Sequence, residues 1–333
     1  MKVKEKSIKR IQEMDGLRGL AALGVMLFHY LYFFPVTYAL GTKNQLAFWG
    51  QFGVQLFFMI SGFVIFMVVS QKPDAIAFGL KRLIRLYPTF WFCCLFTIVI
   101  TFFMGGTPFS IGQILINLTM LAGFFKIPYI DGSYWSLIPE LIFYFSIFVF
   151  LLFKQQKNIY YWGLGFLFLS VIGRFFLPKE LIFILNLKWL PFFWIGINLF
   201  LLTKNKNNYL SFVNIILSLI SIVVIFQNLY LLLATSLCLL VLIAATNGWL
   251  KFLSTRPLVF LGAISFPLYL LHQVIGLHLI KAFSVAGMDV RISIAITMAV
   301  IIIFAYLVHI IIEQPSIELG KKINRKVFLK KTF

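Results

Sequence analysis

Acidic side chains are scarce in this 333-residue sequence. Asp and Glu together number 10 against 29 Lys and Arg, and the formal net charge is +19. This charge could indicate nucleic-acid binding, but the basic residues lie between apolar runs rather than on one basic module. Phospholipid headgroups explain the charge better, because membrane proteins concentrate Lys and Arg at one face of the bilayer. We therefore expect membrane lipid, and not nucleic acid, as a partner.

Cysteine and long polar stretches are also scarce. Cys93, Cys94 and Cys238 lie in apolar runs, without metal-ligand spacing or any pattern of pairing. We expect them to be small buried hydrophobic residues, and we expect no metal. Because no polar stretch is long enough for a separate soluble domain, one membrane domain is expected to fill nearly the whole chain.

Apolar residues dominate the sequence, which is 61% hydrophobic and 12% charged, as is typical of multi-pass membrane proteins. A spanning helix needs about 20 apolar residues. Ten stretches approach this length, at about 17–37, 49–69, 87–104, 134–153, 160–177, 181–202, 211–227, 229–247, 257–281 and 291–312. A shorter stretch at 111–125 is bracketed by glycine and proline, so we interpret it as re-entrant or interfacial. The sequence predicts an all-α integral membrane protein with about ten transmembrane helices.

Loop charges predict the orientation of these spans. With the N-terminus in the cytoplasm, 22 of the 29 basic residues fall on the cytoplasmic side, so both termini are predicted to be cytoplasmic. We divide the chain into a basic N-terminus at 1–16, a transmembrane domain at 17–315 and a basic tail at 316–333. The N-terminus resembles a signal peptide, but its apolar run is long and lacks a cleavage site, which favours a retained first span.

The first span carries ionisable residues that membranes rarely admit. Arg18 lies near its start, and His29 follows eleven residues later, about 16 Å along a helix. An ionisable group at the bilayer centre costs roughly 2.5–3.5 kcal/mol on insertion scales, so such residues are functional candidates. In the predicted orientation, Arg18 lies near the cytoplasmic face and His29 near the middle. Asp15 immediately precedes the span, where we expect it to cap the helix.

Polar residues of other spans fall at related depths. Arg82 and Arg85 are predicted at the cytoplasmic face, on one side of a helix because they are three residues apart. Ser61 of the second span falls near the middle of the membrane. Tyr269 and His272 of the ninth span fall at the same depth. These positions could gather around one site.

A carboxylate approaches from the opposite face. Trp135 and Ser136 begin the fourth span, and Glu140 follows about two turns below the outer face. In this setting a carboxylate must pair, protonate or face water. The arginine cluster suits phosphate, and a histidine suits proton transfer. Together with Glu140, these residues indicate a phosphorylated donor that meets an acceptor inside the membrane.

Each of these residues also has a purely structural interpretation. His272 could be a hydrogen-bonded packing residue, the arginine pair could anchor headgroups, and Glu140 could belong to a structural ion pair. For Glu313, near the end of the tenth span, a helix-end pair with Lys321 or Lys322 is favoured over catalysis.

Four segments, in order, carry a specific resemblance. They are Asp-Gly-Leu-Arg-Gly-Leu-Ala at 15–21 followed by His29, Phe-Phe-Met-Ile-Ser-Gly-Phe at 57–63, Arg-Leu-Ile-Arg-Leu-Tyr-Pro at 82–88, and Trp-Ser-Leu-Ile-Pro-Glu at 135–140. With these segments the sequence resembles the acyltransferase-3 family of integral membrane O-acyltransferases over about residues 12–315. The resemblance implies transfer of an acyl group, usually acetyl from acetyl-CoA, to a sugar hydroxyl of a cell-surface polysaccharide or glycolipid at the inner (plasma) membrane.

The resemblance also implies roles for individual residues. His29 is the expected general base, Glu140 belongs to the catalytic site, and Arg18, Arg82 and Arg85 serve the acyl-CoA donor. We expect the following to support the site: Asp15, Ser61, Trp135, Ser136, Tyr269 and His272. Some members of the family carry a fused extracytoplasmic domain. Here we expect the membrane domain or a separate protein to complete delivery of the acyl group to the acceptor.

Two other classes of protein compete with an enzyme. A transporter of a glycolipid or an acyl group could use the same polar cluster as its pathway, although no pair of interrupted spans in matching halves indicates inverted repeats. A structural scaffold would leave the intramembrane charges unexplained. The sequence does not determine the oligomeric state, the sugar or the hydroxyl.

Overall fold

Every regular element in the described part of the protein is helical. The computed structural model describes residues 11–71 and 73–329. The basic residues at positions 2–10, 72 and 330–331, which are predicted to be cytoplasmic, lie outside this part. The helices are α1 Gln12–Tyr38, α2 Leu46–Val69, α3 Ala75–Phe103, α4 Ile111–Leu118, α5 Gly132–Leu152, α6 Gln155–Phe176, α7 Lys179–Ile184, α8 Leu190–Lys204, α9 Tyr209–Phe226, α10 Leu229–Thr246, α11 Arg256–Ala263, α12 Ser265–Leu271, α13 Val274–Val285 and α14 Val290–Ile323.

Eight helices of this part are long and apolar enough to cross a membrane, namely α1, α2, α3, α5, α6, α9, α10 and α14. The prediction of an all-helical, multi-span protein is therefore confirmed. The other two predicted spans are helical but not continuous: one is split into α7 and α8, and the other is bent by 58° between α12 and α13. The orientation of the termini stays a prediction.

The predicted span at 181–202 is interrupted because Asn186 leaves the helical conformation. Its φ is 56°, in the left-handed region, and its side-chain amide donates a hydrogen bond to the Pro139 carbonyl of α5 at 2.9 Å. This bond attaches the α7–α8 connection to α5. A tight turn joins α9 to α10, where Gln227 has a φ of 49° and the Asn228 side chain accepts from the Leu231 N–H at 3.1 Å.

The segment after α3 turns back along that helix. Tyr87 and Trp91, in the middle of α3, donate side-chain hydrogen bonds of 3.0 and 2.9 Å to the Thr119 and Leu118 carbonyls at the end of α4. The chain thus returns from Phe103 to the level of Trp91, about 18 Å back along α3. This geometry favours the re-entrant interpretation of the predicted short segment.

Glycines allow the central helices to approach closely. A Cβ on Gly62 of α2 would overlap the Phe193 carbonyl of α8, and one on Gly196 of α8 would overlap the Met59 carbonyl of α2. A Cβ on Gly19 of α1 would lie 2.6 Å from the Gly262 nitrogen of α11. Small residues at such crossings are typical of membrane helices, where close packing replaces the hydrophobic effect.

The bend between α12 and α13 has side-chain partners for its backbone groups. A broken helix frees carbonyls and N–H groups, which water cannot satisfy inside a membrane. Three side chains supply partners: Tyr30 donates to the His272 carbonyl at 2.7 Å, Tyr134 donates to the Leu270 carbonyl at 3.4 Å, and Asp131 accepts from the Val274 N–H at 2.9 Å. The bend is therefore stabilised by α1 and by the start of α5.

Candidate active site

Five helices, α1, α2, α3, α5 and α12, surround a cavity with about 800 Å³ of empty space including its open mouth. Of the eleven predicted site residues, seven line it: Arg18, Ser61, Arg82, Arg85, Ser136, Glu140 and Tyr269. Among the lining residues three are cationic and one is acidic, so the cavity favours an anion.

The arginines of α3 project into this cavity as their spacing predicted. Arg82 and Arg85 lie two to three turns from the start of α3, and Arg18 reaches the same cavity from the second turn of α1. The Arg82 guanidinium lies 5.3 Å from the ring centroid of Tyr144 and 5.7 Å from that of Phe78. These cation–π contacts orient Arg82 before any ligand arrives.

Glu140 is held by two hydroxyl groups. Ser61 of α2 donates to one carboxylate oxygen at 3.3 Å, and Tyr144, one helical turn after Glu140, donates to the same oxygen. Tyr144 thereby touches both Glu140 and Arg82, and it is a cavity residue that the sequence reasoning missed. Its position four residues after Glu140, on the same helix face, was the available signal.

A second pair of hydroxyl groups fixes another wall of the cavity. The Ser136 hydroxyl donates to the Tyr269 hydroxyl at 2.8 Å, which in turn donates to the Ser133 carbonyl at 3.1 Å. The aromatic ring of Tyr269 also lies 6.1 Å from that of Phe57. Tyr269 is therefore tied to the start of α5 and cannot swing freely into the cavity.

His29 and His272 form a pair that does not line the cavity. The His29 Nδ1 and His272 Nε2 atoms lie 3.1 Å apart, and the ring centroids lie 4.8 Å apart. His272 is 1% exposed, whereas His29 is partly exposed. The His272 ring lies 5.5 Å from that of Tyr269, so one layer of side chains separates the pair from the arginine cavity. The partners of His29 are His272 and the Val25 carbonyl, which is 2.9 Å away, rather than Glu140.

His29 also begins an irregular turn. Residues His29–Phe33 form a π-helical turn within α1, and such turns occur frequently at functional sites.

A second π-helical turn, His309–Glu313 in α14, also begins at a histidine. There Glu313 is 2% exposed and its carboxylate lies 2.7 Å from His309 Nδ1. The expected pair with Lys321 or Lys322 is therefore wrong, because Glu313 is buried one turn from His309 and faces it.

Two other predicted site residues lie outside the cavity. Trp135 packs against Trp189, with ring centroids 4.8 Å apart, and so contributes to the packing behind the cavity wall. Asp15 is not the helix cap: α1 begins at Gln12 with Ile11 as its N-cap, so Asp15 lies in the first turn. A carboxylate in the first turn still interacts favourably with the helix dipole.

Sequence reasoning also missed Asp131. Its carboxylate is fully buried and accepts from the Ser133 N–H at 2.8 Å and the Ser133 hydroxyl at 2.6 Å, besides the Val274 N–H. It therefore joins the start of α5, which carries Ser136, to the bend beside His272.

The thiols of Cys93 and Cys94 are fully buried, as predicted, and that of Cys238 is partly buried. Across residues 11–71 and 73–329 no group of three or more His, Cys, Asp or Glu could hold a metal ion.

Eight apolar helices of spanning length, several of them around a cavity lined by three arginines, are typical of a multi-pass membrane protein. A protein-family model described as an acyltransferase domain matches residues 11–312 of the 333-residue chain. The chain therefore belongs to the acyltransferase-3 family and is a membrane acyltransferase. The comparisons with curated proteins and with solved structures found no match.

Proposed function

We propose that the protein transfers an acyl group, with acetyl expected, from cytoplasmic acyl-CoA to a hydroxyl of a cell-surface polysaccharide or glycolipid. We place this reaction in the inner (plasma) membrane, with both termini cytoplasmic. The observation that carries the proposal is the convergence of Arg18, Arg82 and Arg85 on one cavity, with the His29–His272 pair one side-chain layer away.

The donor end of the reaction suits the arginine cavity. Coenzyme A carries phosphate groups, and guanidinium groups bind phosphate through paired, charge-assisted hydrogen bonds. We assign Arg18, Arg82 and Arg85 to the donor phosphates. We assign Glu140, whose carboxylate accepts hydrogen bonds from the Ser61 and Tyr144 hydroxyls, to the donor site beside Arg82.

The acceptor hydroxyl needs a base, because a neutral hydroxyl is a poor nucleophile. In the proposed step the acceptor oxygen attacks the thioester carbonyl, a C–O bond forms and the C–S bond breaks. His29 takes the hydroxyl proton and returns it to the departing thiolate of coenzyme A, so charge and atoms balance. Tyr269 lines the arginine cavity, and its ring lies 5.5 Å from that of His272, the partner of His29. The thioester therefore has to reach past Tyr269.

Mass spectrometry of surface glycans tests the proposal. A deletion strain should lose the mass of one acyl group from a surface saccharide, and the wild-type gene should restore it. The Arg82→Ala and His29→Ala genes should not restore it, whereas Arg174→Ala should, since Arg174 is exposed on α6 away from the cavity. Unchanged glycans in the deletion strain would refute the proposal. Purified protein in liposomes separates the main competitor, because a transporter moves its cargo without forming a new acyl ester.

A further inference from the structure

We infer that His272 is a positioning residue that keeps the proton of neutral His29 on Nδ1 and so leaves His29 Nε2 free as the base. The inference rests on the proposed function, in which His29 removes a proton from the acceptor. It assigns His272 a defined task in place of general packing.

The first acceptor determines the tautomer of His272. The Nδ1 atom of His272 lies 2.7 Å from the Tyr269 carbonyl oxygen. A carbonyl oxygen only accepts hydrogen bonds, so Nδ1 must carry the hydrogen. At 1% exposure His272 is too deeply buried to be charged without an ionised partner. In the neutral ring, Nε2 then presents a lone pair.

The lone pair of His272 and a backbone carbonyl determine the tautomer of His29. The Nδ1 atom of His29 lies 3.1 Å from His272 Nε2 and 2.9 Å from the Val25 carbonyl oxygen. Both of these atoms are acceptors, so Nδ1 of His29 must carry the hydrogen and share it between them. The remaining nitrogen, Nε2, has the lone pair that proton abstraction requires.

The same contacts favour the charged form that His29 adopts during the reaction. When His29 Nε2 takes a proton, its Nδ1–H still faces two acceptors, and hydrogen bonds from a charged donor are stronger than neutral ones. The orienting carboxylate of a serine-protease triad acts on its histidine in this way, although it is charged. Here a neutral imidazole takes that place and avoids the cost of a further buried charge.

The fold holds both histidines in place. The Tyr269 carbonyl belongs to the last turn of α12, where the 58° bend frees backbone acceptors from helical pairing. Tyr30, the residue after His29, donates to the His272 carbonyl at 2.7 Å and is fully buried. The same turn of α1 is therefore attached to the backbone of His272, which fixes the separation of the two rings.

Two substitutions of His272 separate positioning from packing. In His272→Asn, the short amide can still donate to the Tyr269 carbonyl but offers no acceptor at the level of Nε2. In His272→Gln, the longer amide can present its oxygen there to His29 Nδ1. His278→Asn in α13 is the matched control, because His278 lies outside the cavity and the histidine pair.

The tautomer of His29 is read by ¹⁵N NMR of histidine-labelled protein in lipid nanodiscs, and acyl transfer is measured on the same samples. We expect the Nδ1–H form to predominate in wild-type protein and in His278→Asn. His272→Asn leaves His29 Nδ1 with the Val25 carbonyl but without His272 Nε2, so the share of the Nδ1–H form should fall below its wild-type value. Transfer should slow about 10- to 100-fold, the loss that metal-bound histidines show without their orienting partner. Acyl-CoA affinity should not change, and His272→Gln should restore the Nδ1–H form and most of the rate.

An unchanged His29 tautomer in His272→Asn would overturn the inference, as would a loss of donor affinity equal to the loss of rate. If His272→Asn does not fold, His272→Gln decides, since a tautomer mixture there would contradict the assignment. Failure of the proposed function is separate: a normal rate in His29→Ala would refute His29 as the base, while the NMR signals would still report whether His272 sets its tautomer.

Discussion

Replacing Arg82 with alanine should weaken acyl-CoA binding by about 10- to 100-fold. Arg82 lines the cavity, and its guanidinium is already oriented over the rings of Tyr144 and Phe78. A lost charge-assisted hydrogen bond costs roughly 1.5–3 kcal/mol, and each 1.4 kcal/mol corresponds to about a tenfold change in dissociation constant. Arg82→Lys should recover only part of the loss, because lysine has neither the paired donors nor the flat face that stacks on aromatic rings.

The measurement is equilibrium binding of labelled acetyl-CoA to purified protein in nanodiscs. Arg174→Ala is the matched control: it removes the same charge from an exposed position on α6. Raising the salt concentration should weaken binding to wild-type protein more than binding to Arg82→Ala, since the variant has one cation fewer to screen.

Two outcomes would refute this reasoning. Equal donor affinity in wild-type protein, Arg82→Ala and Arg85→Ala would assign both arginines to headgroup anchoring. Equal losses in Arg82→Ala and Arg174→Ala would mean that the net charge of the protein, and not the cavity, attracts the donor. Tyr144→Phe separates the ring contact from the hydroxyl contact. It keeps the aromatic ring under Arg82 but removes the hydroxyl that donates a hydrogen bond to Glu140.

Three further expectations concern the base, the packing and the orientation. His29→Ala should lower the transfer rate about 10²- to 10⁴-fold. Donor affinity should not change, because His29 does not line the cavity. Parallel measurements of rate and binding check this, and near-normal transfer would contradict it. Gly62→Ala should destabilise the fold by about 1–3 kcal/mol or more, because its Cβ would overlap the α8 backbone, whereas Gly165→Ala meets open space and should melt like wild-type protein. An impermeant maleimide should label Lys43→Cys on intact cells and Lys322→Cys only after lysis; the reverse pattern would refute the predicted orientation.

The sequence by itself determined the class of protein and predicted seven of the residues that line the candidate cavity. A hydrophobic content of 61% requires a membrane environment, and ionisable residues within apolar runs are costly enough to indicate function. The spacing of Arg82 and Arg85 placed both on one helix face, and the structure confirms that they share a cavity. These inferences succeed because hydropathy and helical periodicity are local properties of the chain.

Only the tertiary structure decided which polar residues meet. Hydropathy predicted a continuous ninth span, but the chain bends there because side chains more than a hundred residues away, including Tyr30 and Asp131, satisfy the freed backbone groups. At that bend His272 contacts His29, and the pair lies outside the arginine cavity. Glu140 accepts hydrogen bonds from Ser61 and Tyr144 instead. A local pattern shows that a polar group must have a partner, but which partner it finds depends on how distant helices pack.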